Sequence, residues 1–204
     1  MRHGETQRNR EGRVLGRGNQ KLTDLGKKQA TAAAQALTRE DITVLYSSPL
    51  KRAAETAETI GAKLGLPVQV AEELAEIDAG ELDGLTSEEM RSRYPDFMAL
   101  WDRDPGSAMM PGGESLAQVQ ERVWGVVQSL LREYPEGNIA AVSHNFPIQT
   151  LVCKVLGLPL AAFRHLRVDL GSLSTVELRQ GRGRLVLLND LCHLAPHSGT
   201  GGSS

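Results

Sequence analysis

The chain has 204 residues, of which 40% are hydrophobic and 24% are charged, and its formal net charge is −2. That length suits one domain with a sizeable core, and the composition is typical of a globular rather than a disordered protein. A charge near zero provides no basic field for nucleic acid, and no apolar run approaches the ~20 residues that cross a bilayer. We therefore expect neither a nucleic-acid partner nor a membrane partner.

The two cysteines, Cys153 and Cys192, are far apart and lack Cys-x-x-Cys spacing, and no signal peptide precedes them. We expect reduced thiols in a cytoplasmic protein, without a disulfide and without a metal site. The charges are unevenly distributed, because residues 1–21 carry six bases against two acids and residues 72–89 carry eight acids and no base. The first of these runs could face an anion, although solvated loops are the simpler interpretation of both.

The first predicted element is a helix over residues 24–39, with Thr23 as its N-cap. Leu25, Ala32, Ala36 and Leu37 fall roughly on one face of this helix, which is typical of a crossover helix packed on a sheet.

A strand, a helix and a second strand follow. The β-branched run at 42–46 predicts the first strand. Ser48 can cap the next helix with Pro49 at its first position, and this helix ends near Gly65. Residues 67–70 suit the second strand.

The regular alternation stops between residues 72 and 113, where acidic and Gly/Pro-rich sequence predicts a flap with short helices near 88–94 and 97–101. The alternation then resumes. The remaining predicted elements are a helix over 115–134, a strand over 138–143, a helix over 147–156, an antiparallel hairpin of 173–178 with 184–188, and a disordered Gly/Ser tail over 196–204.

Strands that alternate with crossover helices predict a three-layer α/β/α sandwich with a mostly parallel central sheet and an antiparallel element near the C-terminus. We expect one domain over residues 1–195. His3 stands at the very start of the chain, where a preceding strand is expected, so the first strand is apparently missing. Ligands of such folds bind beyond the carboxyl ends of the strands.

Several distinctive side chains should meet at that edge. His3 would follow the missing strand, Arg52 lies in the first turn of the second helix, and His144 follows the strand at 138–143. Together with Arg2 and the N–H groups of helix N-termini, they predict an anion pocket in which bidentate guanidinium forks bind a phosphoryl group. Arg2, Arg52 and His144 could position the phosphoryl group and neutralise its charge, which leaves His3 as the nucleophile that attacks phosphorus. Gly4 allows a close backbone approach to the substrate. An acid of the flap could protonate the leaving group.

The motifs that carry a resemblance extend over most of the chain. They are Arg2-His3-Gly4-Glu5-Thr6 with Asn9, Leu22-Thr23-Asp24-Leu25-Gly26, Ser47-Ser48-Pro49-Leu50-Lys51-Arg52, Leu74-Ala75-Glu76-Ile77-Asp78, Pro111-Gly112-Gly113-Glu114-Ser115 and Val142-Ser143-His144. In this order they resemble the histidine phosphatase superfamily of phosphoglycerate mutase-like proteins.

The resemblance implies that His3 is phosphorylated and that Arg2, Arg52 and His144 bind the phosphate with help from Asn9. It implies that Glu76 is the proton donor and afterwards the base for water, and that neither a metal nor another cofactor is needed. The Pro-Gly-Gly-Glu-Ser segment and the short chain favour the phosphatase branch and a small phosphorylated substrate.

Two alternatives stay open. A mutase would pass the phosphoryl group to a second substrate hydroxyl instead of water. If the strand before His3 is truly absent, the chain would be an inactive phosphate-binding or interaction domain. We expect instead that Met1 is not the biological start. The identity of the phosphomonoester and the oligomeric state do not follow from the sequence.

Overall fold

The computed structural model describes residues 1–179 and 182–195, so the predicted tail and the tip of the predicted hairpin lie outside the described residues. The elements in chain order are α1 (Gln7–Arg10), α2 (Asp24–Leu37), β1 (Ile42–Ser47), α3 (Lys51–Leu64), β2 (Val68–Val70), α4 (Ser87–Arg93), α5 (Pro95–Arg103), α6 (Leu116–Glu133), β3 (Asn138–Val142), α7 (Asn145–Leu156), β4 (Leu173–Arg179) and β5 (Arg182–Asp190). Short 3-10 turns lie at Glu72–Leu74, Gly80–Leu82, Leu160–His165 and Cys192–Leu194.

The strands form a parallel sheet of order β2-β1-β3 and a separate antiparallel pair, β4-β5. This arrangement confirms the predicted mostly parallel sheet with an antiparallel C-terminal element. Residues 1–3 lie between the two sheets without forming a regular strand. Arg2 makes a single parallel bridge with Ser143, its N–H donates to the carbonyl of Ser172, and the N–H of Gly171 donates to the carbonyl of His3. These bonds position His3 at the carboxyl edge of the parallel sheet.

Successive residues of the central strand pack on opposite faces of the sheet, as the pleat of a strand requires. Leu45 is fully buried in one apolar cluster with residues of α2 and α3. Its neighbours Val44 and Tyr46 belong to a second cluster with Leu130 of α6. Helices therefore cover both faces of the sheet, which confirms the predicted three-layer sandwich.

The predicted start of α3 is wrong. The helix begins at Lys51 and not at Pro49, because Leu50 still has an extended backbone (φ −69°, ψ 132°). The Ser48 hydroxyl does not cap the helix; it accepts a hydrogen bond from the N–H of Leu50, and its other contact is His144. Arg52 nevertheless lies in the first turn, as expected.

The predicted contact face of α2 is also wrong in part, because Leu25 is 47% exposed. The buried residues of α2 are Gly26, Ala30, Ala33, Ala34 and Leu37. A Cβ at Gly4 would lie 2.4 Å from the carbonyl oxygen of Gly26, and a Cβ at Gly26 would lie 2.2 Å from the carbonyl oxygen of Glu5. Two glycines thus let the backbone after His3 cross α2 at close range. This crossing requires glycine at position 4, which gives Gly4 a packing role; its predicted role in approaching the substrate stays a prediction.

The predicted flap contains α4 and α5 close to their expected positions. Trp101 of α5 packs edge-on against Phe146 of α7, with ring centroids 6.0 Å apart, and Phe163 lies within 5.7 Å of both rings. This aromatic cluster attaches the flap to the N-terminal turn of α7. No helix among residues 1–179 and 182–195 is both long and apolar enough to span a membrane.

Candidate active site

His3 is 2% exposed and its ring is oriented by two hydrogen bonds. Its Nδ1 lies 2.7 Å from the carbonyl oxygen of Gly4, and its Nε2 lies 3.1 Å from Nε of Arg52. A carbonyl can only accept and a guanidinium can only donate, so Nδ1 carries the hydrogen and Nε2 keeps its lone pair. Burial, together with the charges of Arg52 and Arg2, lowers the pKa of His3 well below its usual value. His3 is therefore a neutral imidazole at neutral pH.

Arg52 is fully buried and connects the two histidines. Its Nε faces both Nε2 of His3 and Nδ1 of His144, at 3.1 and 3.2 Å. Its terminal nitrogens donate to the carbonyls of Gly18 and Gly16, each at 2.8 Å. The predicted guanidinium fork thus also holds the loop after α1. Burial lowers the pKa of Arg52 to about 10, which leaves the group charged at neutral pH.

His144 is the N-cap residue of α7 and is completely buried. Because its Nδ1 accepts from Arg52, its Nε2 carries the hydrogen and donates to the hydroxyl of Ser48 at 2.7 Å. Burial and the neighbouring Arg52 lower the pKa of His144 well below its usual value. The rings of His3 and His144 lie 5.0 Å apart. The role of Ser48 escaped the sequence analysis because Ser-Ser-Pro is also a common helix-start pattern.

Arg2 and Asn9 also lie at the site, and each has a side-chain N–H group that can bind a ligand. Arg2 donates through Nη1 to the carbonyl of Val168 at 2.5 Å, while its buried Nε has no hydrogen-bond partner among the described residues. A buried donor without a partner is costly, so this N–H is available for an anion. The side-chain oxygen of Asn9 accepts from the backbone and hydroxyl of Thr6 in a capping box. That leaves the amide nitrogen of Asn9 as its group for ligand binding.

Glu76 lies in the loop after the 3-10 turn at Glu72–Leu74 and is 6% exposed. Its carboxyl group accepts from the N–H of Ile77 at 2.9 Å and from the first two N–H groups of α7, those of Asn145 at 3.1 Å and Phe146 at 3.3 Å. The carboxyl therefore caps α7, although it comes from a distant part of the chain. This contact explains why α7 begins at Asn145, earlier than predicted. Burial raises the pKa of Glu76, although the Ile77 N–H and the charges of Arg52 and Arg2 oppose the shift.

A cavity of about 180 Å³ opens beside these groups. Four of the predicted site residues line it, namely Arg2, His3, Asn9 and Glu76, together with Arg13, Val14, Leu15, Ile77, Asn145 and Phe146. Arg52 and His144 do not line the cavity; both are fully buried, and Arg52 contacts His3 directly. The structure therefore brings all six predicted residues into one region but divides them into a cavity wall and a buried support. Val14, Ile77 and Phe146 could not be assigned to the site from the sequence, because ordinary apolar side chains line most cores as well.

The basic run near the N-terminus meets the acidic run of the flap. Arg8 pairs with Asp83 at 2.6 Å, Arg13 with Glu89 at 3.1 Å, and Arg17 with Glu114 at 3.4 Å. Arg8 and Arg13 are thus paired with acids of the flap, and Arg17 is paired with Glu114, which follows the flap directly. Of the two arginines predicted for the anion pocket, Arg52 is fully buried and Arg2 is half-buried. Within the described residues there is no group of three or more His, Cys, Asp or Glu placed to hold a metal ion.

A parallel α/β sheet with a neutral histidine, one buried and one half-buried arginine, and a buried carboxyl group at its carboxyl edge defines an anion-binding site suited to group transfer. The family model of the histidine phosphatase superfamily (branch 1) matches residues 1–191. The chain therefore belongs to this superfamily, and the expectation that it is a histidine phosphatase is confirmed.

Individual relatives carry several activities in their names. The chain is 36% identical over 194 residues to "Phosphoserine phosphatase 1" of Hydrogenobacter thermophilus, covering 95% of this chain and 92% of the relative. It is 36% identical over 185 residues to "Probable phosphoglycerate mutase GpmB" of Cronobacter sakazakii, covering 88% and 84% of the two chains. A solved mycobacterial glucosyl-3-phosphoglycerate phosphatase, in a complex with VO3, superposes with a TM-score of 0.83 at 32% identity over 92% of this chain and 96% of that one.

Proposed function

We propose that this protein hydrolyses a small phosphomonoester through a phosphohistidine on His3, without a metal ion. The observation that carries the proposal is the orientation of His3, whose Nδ1–H is bound to the Gly4 carbonyl and whose Nε2 lone pair faces Arg52. A neutral imidazole held in this tautomer is a competent nucleophile at neutral pH.

In the first step, Nε2 of His3 attacks phosphorus and the bond between phosphorus and the ester oxygen breaks. Arg2 and Arg52 neutralise the charge on the phosphoryl oxygens. His144 adds a hydrogen bond through Nδ1 once its hydrogen has moved there from Nε2, which then accepts from Ser48. The departing oxygen takes a proton from Glu76, a carboxyl group at the cavity wall whose pKa burial raises. The products are the alcohol and a phosphohistidine with Glu76 ionised.

In the second step, water attacks phosphorus while the Glu76 carboxylate takes its proton. The bond between Nε2 and phosphorus breaks, inorganic phosphate leaves, and both His3 and Glu76 return to their starting forms. One carboxyl group thus acts as acid and then as base.

The substrate proposed is a compact phosphomonoester, because the cavity is small and its wall beyond the charged groups includes Val14, Leu15 and Phe146. Phosphoserine is the first ester to try, since a relative named phosphoserine phosphatase aligns over nearly the whole chain. Transfer to a second substrate hydroxyl is the other candidate, favoured by the relative named as a phosphoglycerate mutase.

A panel of phosphate esters tests the proposal, with wild type and His3→Ala assayed in the presence of a chelator. We expect wild type to release phosphate at the same rate with and without the chelator, and His3→Ala to release none. We also expect to trap an acid-labile phosphohistidine in wild type. Activity that survives His3→Ala would refute His3 as the nucleophile. Fast turnover of 3-phosphoglycerate without phosphate release would indicate a mutase, and a folded wild type that hydrolyses no ester would indicate an inactive binding domain.

A further inference from the structure

The loop that carries Glu76 is held from the side of α6 by an ion pair that the proposed chemistry does not use. Arg122 of α6 and Glu114, which lies just before α6, form a two-bonded pair, with Nε to Oε1 at 3.0 Å and Nη2 to Oε2 at 3.1 Å. Their side chains are 16% and 18% exposed, so solvent screens this pair far less than a surface pair.

Both members of the pair also bind the backbone around Glu76. Arg122 donates through its two terminal nitrogens to the carbonyls of Glu73 and of Glu76 itself, the latter at 3.2 Å. Glu114 accepts from the N–H of Asp78 at 2.8 Å, and its own N–H donates to the carbonyl of Asp78 at 2.9 Å. The backbone is therefore held before, at and after the residue whose side chain enters the cavity.

The other end of Glu76 is held by α7, where the N–H groups of Asn145 and Phe146 bind its carboxyl group. These bonds would hold the carboxyl group well only if the backbone of the loop stayed at the right distance from α7. A displacement of about 1 Å at a reacting group can cost 10²-fold in rate. The spacing between α6 and this loop thus decides where the acid stands.

We propose that Arg122 and Glu114 are positioning residues that set the place of the Glu76 carboxyl group for proton transfer to the leaving oxygen. The proposal rests on the function proposed above. It assigns the pair a role in leaving-group protonation and not only in the stability of the fold.

Leaving-group chemistry separates these two roles. An alkyl phosphate such as phosphoserine needs a proton on its departing oxygen, whereas the nitrophenolate of p-nitrophenyl phosphate leaves largely without one. The ratio kcat/KM reports the steps up to phosphoenzyme formation, so it isolates the step in which Glu76 acts as acid. A misplaced acid should slow the alkyl ester selectively, while general destabilisation should lower the activity toward both esters alike.

The test compares Arg122→Lys and Glu114→Gln with wild type and with Glu76→Gln, which defines full loss of the acid. Lys keeps the charge but cannot bind two carbonyls and the carboxylate together, and Gln keeps the shape but turns an acceptor into a donor. Arg132→Lys and Glu121→Gln are matched controls, because both residues are exposed and lie on the same helix.

We expect both variants to lower kcat/KM for phosphoserine by about 10- to 100-fold and for p-nitrophenyl phosphate by less than about threefold, with the controls unchanged. Suppose that Glu76→Gln slows phosphoserine far more than p-nitrophenyl phosphate. If Arg122→Lys and Glu114→Gln then slow both esters equally, or slow neither, the positioning role is overturned and the acid role of Glu76 stands. Lack of selectivity in Glu76→Gln itself would overturn both the acid and its positioning. If one variant does not fold, the other carries the test.

Discussion

The hydroxyl of Ser48 offers a sharp test of how the buried half of the site works. It lies 2.7 Å from Nε2 of His144, whereas Nδ1 of the same ring faces Arg52. Without a ligand, Nε2 holds the hydrogen because Nδ1 faces Arg52. To donate to a phosphoryl oxygen through Nδ1, His144 must move its hydrogen there, and Nε2 must then accept. A hydroxyl can both donate and accept, so Ser48 can support either tautomer.

The substitution Ser48→Ala removes this support and leaves a nitrogen of a fully buried ring unpaired. An unsatisfied buried polar group costs about 1–3 kcal/mol of stability. Without Ser48, His144 also loses its hydrogen bond to the charged phosphoryl group, and such a bond is worth about 1.5–3 kcal/mol. Since each 1.36 kcal/mol is a factor of ten in rate, kcat/KM should fall roughly 10- to 150-fold. The assay is phosphate release from the best ester of the panel, together with urea unfolding.

Ser47→Ala is the matched control, because Ser47 is equally buried but its hydroxyl donates to a neighbouring carbonyl, that of Ser48, and not to a histidine. We expect this variant to lose stability and to keep kcat/KM within about threefold of wild type, since no hydrogen bond to the charged ligand is removed. Equal activity losses in the two variants, or full activity in Ser48→Ala, would show that His144 does not depend on this hydroxyl.

Two further predictions concern pH and packing. For an alkyl ester, kcat/KM should fall as the pH rises through the raised pKa of Glu76, because the acid loses its proton. Glu76→Gln should remove this fall at alkaline pH. A pH profile that the substitution leaves unchanged would contradict the role of Glu76 as the acid. Because the pKa of His3 is lowered well below 6.5, the nucleophile should still be neutral at pH 6.5. We therefore expect kcat/KM at pH 6.5 to show no loss caused by protonation of His3. Gly4→Ala should destabilise by about 1–3 kcal/mol, because its Cβ would lie 2.4 Å from a backbone oxygen, whereas Gly125→Ala in α6 should stabilise by about 0.5–1 kcal/mol, because nothing lies within 4 Å. Urea unfolding measures both changes, and the same sign for the two would contradict the packing argument.

The predicted elements were accurate where local signals and tertiary packing agree. Thr23 caps α2 as expected, and Ser115 caps α6 in a capping box. The predictions were wrong where a group far away in the chain decides which residues of an element are buried or where a helix begins. Leu25 has the apolar character of a core residue, yet the close crossing of α2 with Gly4 turns another face of the helix inward.

The sequence by itself determined the class of fold and the group of residues that meet at its functional edge. Periodicity specifies helices and strands, and the rule that parallel strands end at one edge brings His3, Arg52 and His144 together. The resemblance selected Glu76 from the acids of the flap as the proton donor. These conclusions depend on residue type and order, which the chain carries along its whole length.

Only the tertiary structure decided the state of each group. The tautomer of His3 depends on the Gly4 carbonyl and on Arg52, the cap of α7 comes from Glu76 across the fold, and the backbone of Glu76 is held by Arg122. Hydrogen bonds between groups far apart in the chain leave no periodic signal, because they depend on distances of a few ångströms that packing alone sets. Burial has the same origin, and it is the largest cause of the shifted pKa values of His3 and Glu76.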